Sequence, residues 1–338
     1  MHPKVLIASY LDEGLIARIR SEVPEVEVIY EPDLLPVPQY TCDHRGIQRE
    51  LSEQQQELWQ KHLSDAEIMF DFDWWQPESW GINSPSLRWI QASSAGVGAR
   101  AKALGHDESG ITVTTAAGVH VKPLAEFVLA GLLHFVRDIP GLDADKRAQQ
   151  WTTGTRQTLA DRRALVIGAG SIGLEVAKTL EFFGVTIDGT TRSGRSLGAP
   201  FRQSLTLDDL ELGSYDIVVL ACPLTKETKG LVSRQRIAAM KQGALLVNVA
   251  RGPVLDQDAL IEALESGHLA GAILDVATPE PLPAGNPLWT APNLILSPHN
   301  AANVDAENSR LVDLFIANLR HYLANESLIN TYDPKAGY

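Results

Sequence analysis

In the second half of this 338-residue chain, three ionisable side chains each follow an apolar run at short distance. Arg251 closes Leu246-Val247-Asn248-Val249-Ala250, Glu280 stands in Asp275-Val276-Ala277-Thr278-Pro279, and His299 follows Ser297-Pro298. Singly, each has an ordinary reading: a surface charge, a loop carboxylate, a structural imidazole. Apolar runs of this length are strand candidates, and ligands of open α/β sheets collect beyond the carboxyl ends of strands. A guanidinium, a carboxylate and an imidazole at the mouths of neighbouring strands supply what carbonyl reduction requires. They provide a clamp for a carboxylate, a proton donor and a charge that tunes the donor.

A second constellation lies upstream. Ala164-Leu165-Val166-Ile167 runs into Gly168-Ala169-Gly170-Ser171-Ile172-Gly173, then into a helical pattern at 174–183 closed by Gly184. G-x-G-x-x-G alone is a weak signal, but between a strand and a helix it has a mechanism. Gly168 permits a tight turn, Gly170 lets backbone approach a pyrophosphate, and Gly173 lets the helix lie close to the strand. Ser171 and Ile172 complete the turn, whose N–H groups and positive dipole end suit phosphates. The alternative is a glycine-rich turn that binds nothing.

The end of the next strand discriminates between cofactors, because an acid there binds a ribose 2′-hydroxyl and an arginine accommodates a 2′-phosphate. Asp188 lies at the expected separation from Gly168, yet Gly189 and Thr190 continue the strand, which puts Asp188 inside it and Thr191 at its tip. Arg192 and Arg195 then flank Ser193 and Gly194, a small loop suited to phosphate. NADP(H) is the expected cofactor and NAD(H) the alternative; solvated loop charges are the competing reading of the arginines.

The elements that must hold these residues alternate along the whole chain, as in an α/β protein with a mainly parallel sheet. Strand candidates in the first hundred residues are 5–8, 26–29, 68–70 and 87–90, with helical patterns at 11–21 and 53–63. A second series follows Ser94-Ala95-Gly96-Val97-Gly98, with candidates at 112–114, 164–168, 185–188, 217–220, 244–248, 271–275 and 294–297. The expected fold is therefore two Rossmann-like or flavodoxin-like domains, doubly wound parallel sheets with a cleft between them. Expected boundaries are 1–97 plus 299–338 for a discontinuous substrate domain and 98–298 for a dinucleotide-binding domain. The amphipathic pattern at 306–323 is expected to return to the first domain. Residues 31–46, with three prolines, read as a loop, either a surface excursion or a cover for a substrate entrance. Asp73-Trp74-Trp75 reads as core packing or as pocket lining.

Composition excludes several classes. Lys and Arg total 29 against 42 Asp and Glu, a net charge of −13, and no basic run offers a face for nucleic acid. Cys42 and Cys222 are far apart, which supports neither a disulfide framework nor a zinc cage. The N-terminus lacks a signal-peptide pattern, and the longest apolar stretch, 127–136, is too short to span a bilayer. A cytoplasmic protein without a metal or membrane partner is expected.

Residues 217–302 resemble the D-isomer-specific 2-hydroxyacid dehydrogenases, among them glyoxylate and hydroxypyruvate reductases and phosphoglycerate dehydrogenase. The resemblance rests on Cys222-Pro223-Leu224-Thr225 with Thr228 and Gly230, Asn248-Val249-Ala250-Arg251-Gly252, Leu274-Asp275-Val276, Glu280-Pro281-Leu282-Pro283 and Pro298-His299. Ser94-Ala95-Gly96-Val97 and Gly118 with Ala125-Glu126 also fit, so it extends over about residues 86–323. It implies hydride transfer between NAD(P)H and a 2-oxo acid or D-2-hydroxy acid. Arg251 would bind the carboxylate and polarise the keto oxygen, His299 would exchange the proton, and Glu280 would favour the imidazolium. Backbone N–H groups of Ala95 and Gly96 would complete the carboxylate site. Cys222, Pro223, Thr228, Val249, Ala250, Asp275 and His299 would border the cofactor, with Asp275 near the nicotinamide or Arg251. Thr191 stands where NAD-specific members carry Asp, and Ala277 where many have an aromatic residue. A homodimer through the nucleotide domain is implied, with 124–136 and Trp151 as a contact surface, though a helix buried inside one subunit would show the same pattern. Alternatives on this scaffold are a dinucleotide-sensing corepressor and a formate dehydrogenase, though the latter has an amide where Glu280 stands.

Overall fold

A computed structural model describes residues 2–192 and 194–335. Short apolar runs flanked by helices form parallel strands, because crossover helices cover both faces of such a sheet. Strands β1 (Lys4–Ile7), β2 (Glu27–Ile29), β3 (Ile68–Phe70), β4 (Trp89–Gln91) and β5 (Thr112–Thr114) form one sheet in the order β2-β1-β3-β4-β5. All its neighbouring pairs are parallel, and the order is that of flavodoxin-like folds. The second sheet holds β6 (Arg163–Ile167), β7 (Thr186–Thr190), β8 (Phe201–Leu205), β9 (Ile217–Leu220), β10 (Ala244–Asn248), β11 (Leu269–Leu274) and β12 (Leu294–Leu296). Its order, β12-β11-β10-β9-β6-β7-β8, is a parallel doubly wound sheet that reverses direction between β6 and β9.

The chain divides into two compact units, Met1–His120 with Asn303–Tyr338, and Val121–Ala302. The boundaries differ from the expected 97/98 and 298/299. β5, expected in the second series, instead pairs with β4 in the five-stranded sheet, which brings residues 98–120 into the first unit. Ala301 donates its N–H to Asp275 and packs with Ala302 on the second unit's core, which keeps residues 299–302 there. β8 carries Arg202, Gln203 and Ser204 and shows no apolar pattern, because an edge strand buries little.

In the first unit, helix Glu307–Leu323 buries Leu311, Val312, Phe315, Ile316 and Leu319 in the core formed by β1 to β5. Asn318, fully buried on that helix, donates to Gln91 at the end of β4 and accepts from Ile329 N–H. The 31–46 segment is an anchored loop: Asp43 accepts from the N–H groups of Gln39, Arg45 and Gly46, and Asn308 donates to the Thr41 carbonyl at 2.6 Å. Trp74 and Trp75 pack on the core, Trp74 with its ring 6.1 Å from Trp59. In the second unit, helix Val121–Val136 lies so close to the sheet that a Cβ on Gly131 would meet Ile273 at 2.6 Å. Among the described residues no helix is long and apolar enough to cross a membrane.

Asp188 ties the second unit's sheet together and is 1% exposed. Arg202 of β8 grips it at 2.9 and 2.6 Å, the Tyr215 hydroxyl donates at 2.9 Å, and Arg163 of β6 approaches to 3.4 Å. Burial pushes its carboxyl up, but the bonds from Arg202, Tyr215 and Arg163 outweigh it and hold the carboxyl below its ordinary value. A depressed carboxylate contributes stability that is present above its unfolded pKa and lost as pH falls through the folded one. Asp188→Asn should therefore lower unfolding stability at neutral pH by about 3 kcal/mol, since it breaks a buried pair. The difference from wild type should shrink below about pH 4, where the unfolded carboxylate takes up its proton. Urea unfolding at both pH values checks this; a constant difference would contradict it.

Candidate active site

β10, β11 and β12 are adjacent and parallel, with Asn248 beside Leu274 and Leu274 beside Leu296. Arg251, Glu280 and His299 thus emerge from one carboxyl edge of one sheet. Asn248 is fully buried and shapes the first turn: its side chain accepts from Ala250 N–H at 3.0 Å and donates to the Arg251 carbonyl at 3.2 Å. The Arg251 guanidinium donates to the Ala250 carbonyl at 2.7 Å. A Cβ on Gly252 would lie 2.1 Å from the Ala277 carbonyl oxygen, so the Arg251 and Glu280 loops touch backbone to backbone. Gln257 holds Thr278 from both sides, donating to its carbonyl and accepting from its N–H, each at 2.7 Å.

Glu280 Oε1 accepts from Ala277 N–H at 2.9 Å, and Oε2 lies 2.7 Å from His299 Nδ1. One carboxylate therefore braces its own loop and orients the imidazole, leaving Nε2 for other chemistry. His299 sits in the left-handed region at φ 56°, and its turn is bolted down by Asp275. Asp275, 3% exposed, accepts from the Ser297 hydroxyl at 2.7 Å and from Ala301 N–H at 2.9 Å. The His299 and Glu280 side chains are 43% and 38% exposed, open to a small molecule.

At the reversal between β6 and β9 the glycines have little freedom. Gly168 has φ 99°, and a Cβ on it would lie 2.6 Å from the Cys222 backbone; one on Gly173 would lie 2.1 Å from the Gly168 carbonyl oxygen. Gly170 precedes helix Ser171–Phe182 and faces open space. Ser171 is exposed, while Ile172 packs on the core. These are the features a bound dinucleotide requires: a backbone cradle with no side chain and a helix N-terminus of three turns. Cys222 is buried, which pushes its thiol up to about 11 and makes it a neutral wall. Thr228 turns its hydroxyl inward, donating to the Pro223 carbonyl at 2.6 Å and accepting from Thr225 N–H at 2.7 Å. Val249 and Ala250 are buried beside the Arg251 turn.

β7 runs to Thr190, so Asp188 lies within the strand and Thr191 follows its tip. Thr191 Oγ1 is buried without a partner, and Arg192 and Arg195 are exposed. Ser193 lies outside the described residues. In the first unit, Ala95 and Gly96 occupy the turn after β4, where Ser93 donates to Asp71 at 2.8 Å. Among the described residues no group of three or more His, Cys, Asp or Glu is placed to hold a metal ion. Sequence reasoning missed Asn248 and Gln257 as supports; a polar residue closing the apolar run Ala244-Leu245-Leu246-Val247 was the available signal for Asn248.

Residues 129–301, just over half the chain, match the family model for the D-isomer specific 2-hydroxyacid dehydrogenase NAD binding domain. A glyoxylate reductase of Thermofilum pendens is 38% identical over 226 residues, covering 64% of this chain and 66% of that protein. A D-isomer specific 2-hydroxyacid dehydrogenase from Xanthobacter autotrophicus, solved with NADPH and MES, is 28% identical with a TM-score of 0.76 over 100% of both chains. A family protein from Aeromonas salmonicida is 26% identical with a TM-score of 0.79, covering 98% of this chain and 99% of that one. With its glycine cradle and its Arg251, Glu280 and His299 just beyond the ends of neighbouring strands, the chain belongs to the D-isomer specific 2-hydroxyacid dehydrogenases, oxidoreductases that act on CH–OH groups with a nicotinamide dinucleotide.

Proposed function

We propose that this chain reduces a small 2-oxo acid of the glyoxylate or hydroxypyruvate type to its D-2-hydroxy acid and prefers NADPH to NADH. The reading is carried by the 2.7 Å contact between His299 Nδ1 and Glu280 Oε2, on the sheet edge that also presents Arg251. The glyoxylate reductase of Thermofilum supports the substrate class, and the NADPH in the Xanthobacter structure supports the cofactor.

Arg251 binds the substrate carboxylate through its planar fork of donors and draws electron density from the keto oxygen. Glu280 accepts a hydrogen bond from His299 Nδ1, which orients the imidazole and leaves Nε2 for the substrate. His299 gives a proton to the keto oxygen and recovers it in the reverse direction. A bound nicotinamide supplies the hydride. Gly168, Gly170, Ser171, Ile172 and Gly173 hold the pyrophosphate, and Thr191, Arg192 and Arg195 hold the 2′-phosphate. Cys222, Pro223, Val249 and Ala250 wall the cofactor, while Thr228 and Asp275 shape the loops that touch it. The reading includes a cytoplasmic homodimer formed through the second unit, where Ile139, Leu142 and Trp151 are 45%, 47% and 97% exposed.

His299→Asn should lower kcat for glyoxylate reduction by about 10²- to 10⁴-fold with NADPH affinity unchanged. Turnover near the wild-type rate would remove His299 from the chemistry. In Glu280→Gln the carboxylate that accepts from His299 Nδ1 at 2.7 Å becomes an amide, so the imidazole loses its charged orienting partner and kcat should fall at least about tenfold with NADPH affinity unchanged. A kcat equal to that of wild type would refute the pairing. The double variant Arg192→Ala with Arg195→Ala should lower the NADPH:NADH ratio of kcat/KM at least about tenfold, the worth of a charged hydrogen bond. An unchanged ratio, read at 340 nm, would show both arginines to be solvated.

A further inference from the structure

Thr190 ends β7 and is 1% exposed. Paired rungs between β6 and β7 stop at Val166 beside Gly189. Beyond that point one residue makes both links to the glycine loop. The Thr190 hydroxyl oxygen accepts Gly168 N–H at 3.0 Å, and its carbonyl accepts Ala169 N–H at 3.0 Å. On the other side, the backbone at Gly168 is pressed against Cys222. The loop is therefore fixed between Cys222 and Thr190, while Gly170 faces open space. Two residues earlier on the same strand, the Asp188 carboxylate is held by Arg202, Tyr215 and Arg163.

A strand end buried to this degree would ordinarily suit Val, which has the shape of Thr. The Thr190 hydroxyl is the acceptor of the part-buried Gly168 N–H, and Val would leave that donor without it. We propose that Thr190 is a positioning residue for the dinucleotide, setting the glycine-loop N–H groups and coupling the pyrophosphate end of the site to the ribose end that begins at Thr191. The proposal rests on the reading of residues 168–173 as the dinucleotide loop. It separates two functions along one strand end: Thr190 governs affinity for both dinucleotides alike, and the residues after it govern the choice between them.

The test is titration of the full-length chain with NADPH and with NADH, followed by cofactor fluorescence, for wild type, Thr190→Val and Thr190→Ser, together with steady-state kinetics. Thr190→Val should weaken both dinucleotides by the same factor, about tenfold, with kcat at saturating cofactor retained; Thr190→Ser should stay within about twofold of wild type. Unchanged binding in Thr190→Val beside tight wild-type binding would overturn the proposal alone, as would an equal loss in Thr190→Ser, which would assign the effect to packing of the methyl group. Loss confined to NADPH would also overturn it. Should Thr190→Val not fold, Thr190→Ala against Thr190→Ser makes the same comparison. Failure of the wild-type chain to bind either dinucleotide would overturn the loop reading and this proposal with it.

Discussion

The second unit is organised around a backbone contact that leaves no room for a side chain. At the reversal of the seven-stranded sheet, the Gly168 turn passes so close to Cys222 that an added Cβ would sit 2.6 Å from its backbone. The helix that follows is drawn in just as tightly through Gly173. Close approach of this kind places the helix N-terminus, with its free N–H groups, directly over the reversal. Because strand spacing in a parallel sheet is fixed, the same geometry places the ends of β10, β11 and β12 in sequence along that edge.

The device recurs where Arg251 and Glu280 emerge. Gly252 abuts the Ala277 carbonyl, so the loops that carry the guanidinium and the carboxylate cannot drift independently. Asn248 and Gln257 then convert these loops into hydrogen-bonded turns, and Asp275 does the same for the turn that carries His299. The His299 and Glu280 side chains themselves are partly exposed, where an ion pair contributes little to stability. What holds them in register is the buried polar framework beneath, and their own contact serves orientation and charge.

Much of this was legible in residue types and spacing. Strand candidates at 68–70, 112–114, 217–220 and 244–248 coincide with β3, β5, β9 and β10; all but Thr112-Val113-Thr114 are mainly apolar, as strands buried on both faces require, and that exception is β-branched throughout. The glycine spacing at 168, 170 and 173 announced its turn, and Gly189-Thr190 correctly carried β7 past Asp188. β8 escaped notice because an edge strand can be polar, and helix Ile139–Ala148 because it buries no residue and so shows no apolar stripe. The amphipathic stripe of Glu307–Leu323 was visible, but the grip of Asn318 on Gln91 spans more than two hundred residues and has no local signature.

By itself, the sequence determined element types, the glycine cradle and the chemical identity of Arg251, Glu280 and His299, since these depend on local periodicity and side-chain chemistry. Tertiary structure alone decided which strands are neighbours. It assigned β5 to the five-stranded sheet, set the unit boundaries at 120/121 and 302/303, and gave Asp188 its two arginines and Thr190 its hold on Gly168. The reason is that strand pairing and buried hydrogen bonds are chosen by the free energy of non-local contacts, in which a residue's partner is set by where the whole chain packs.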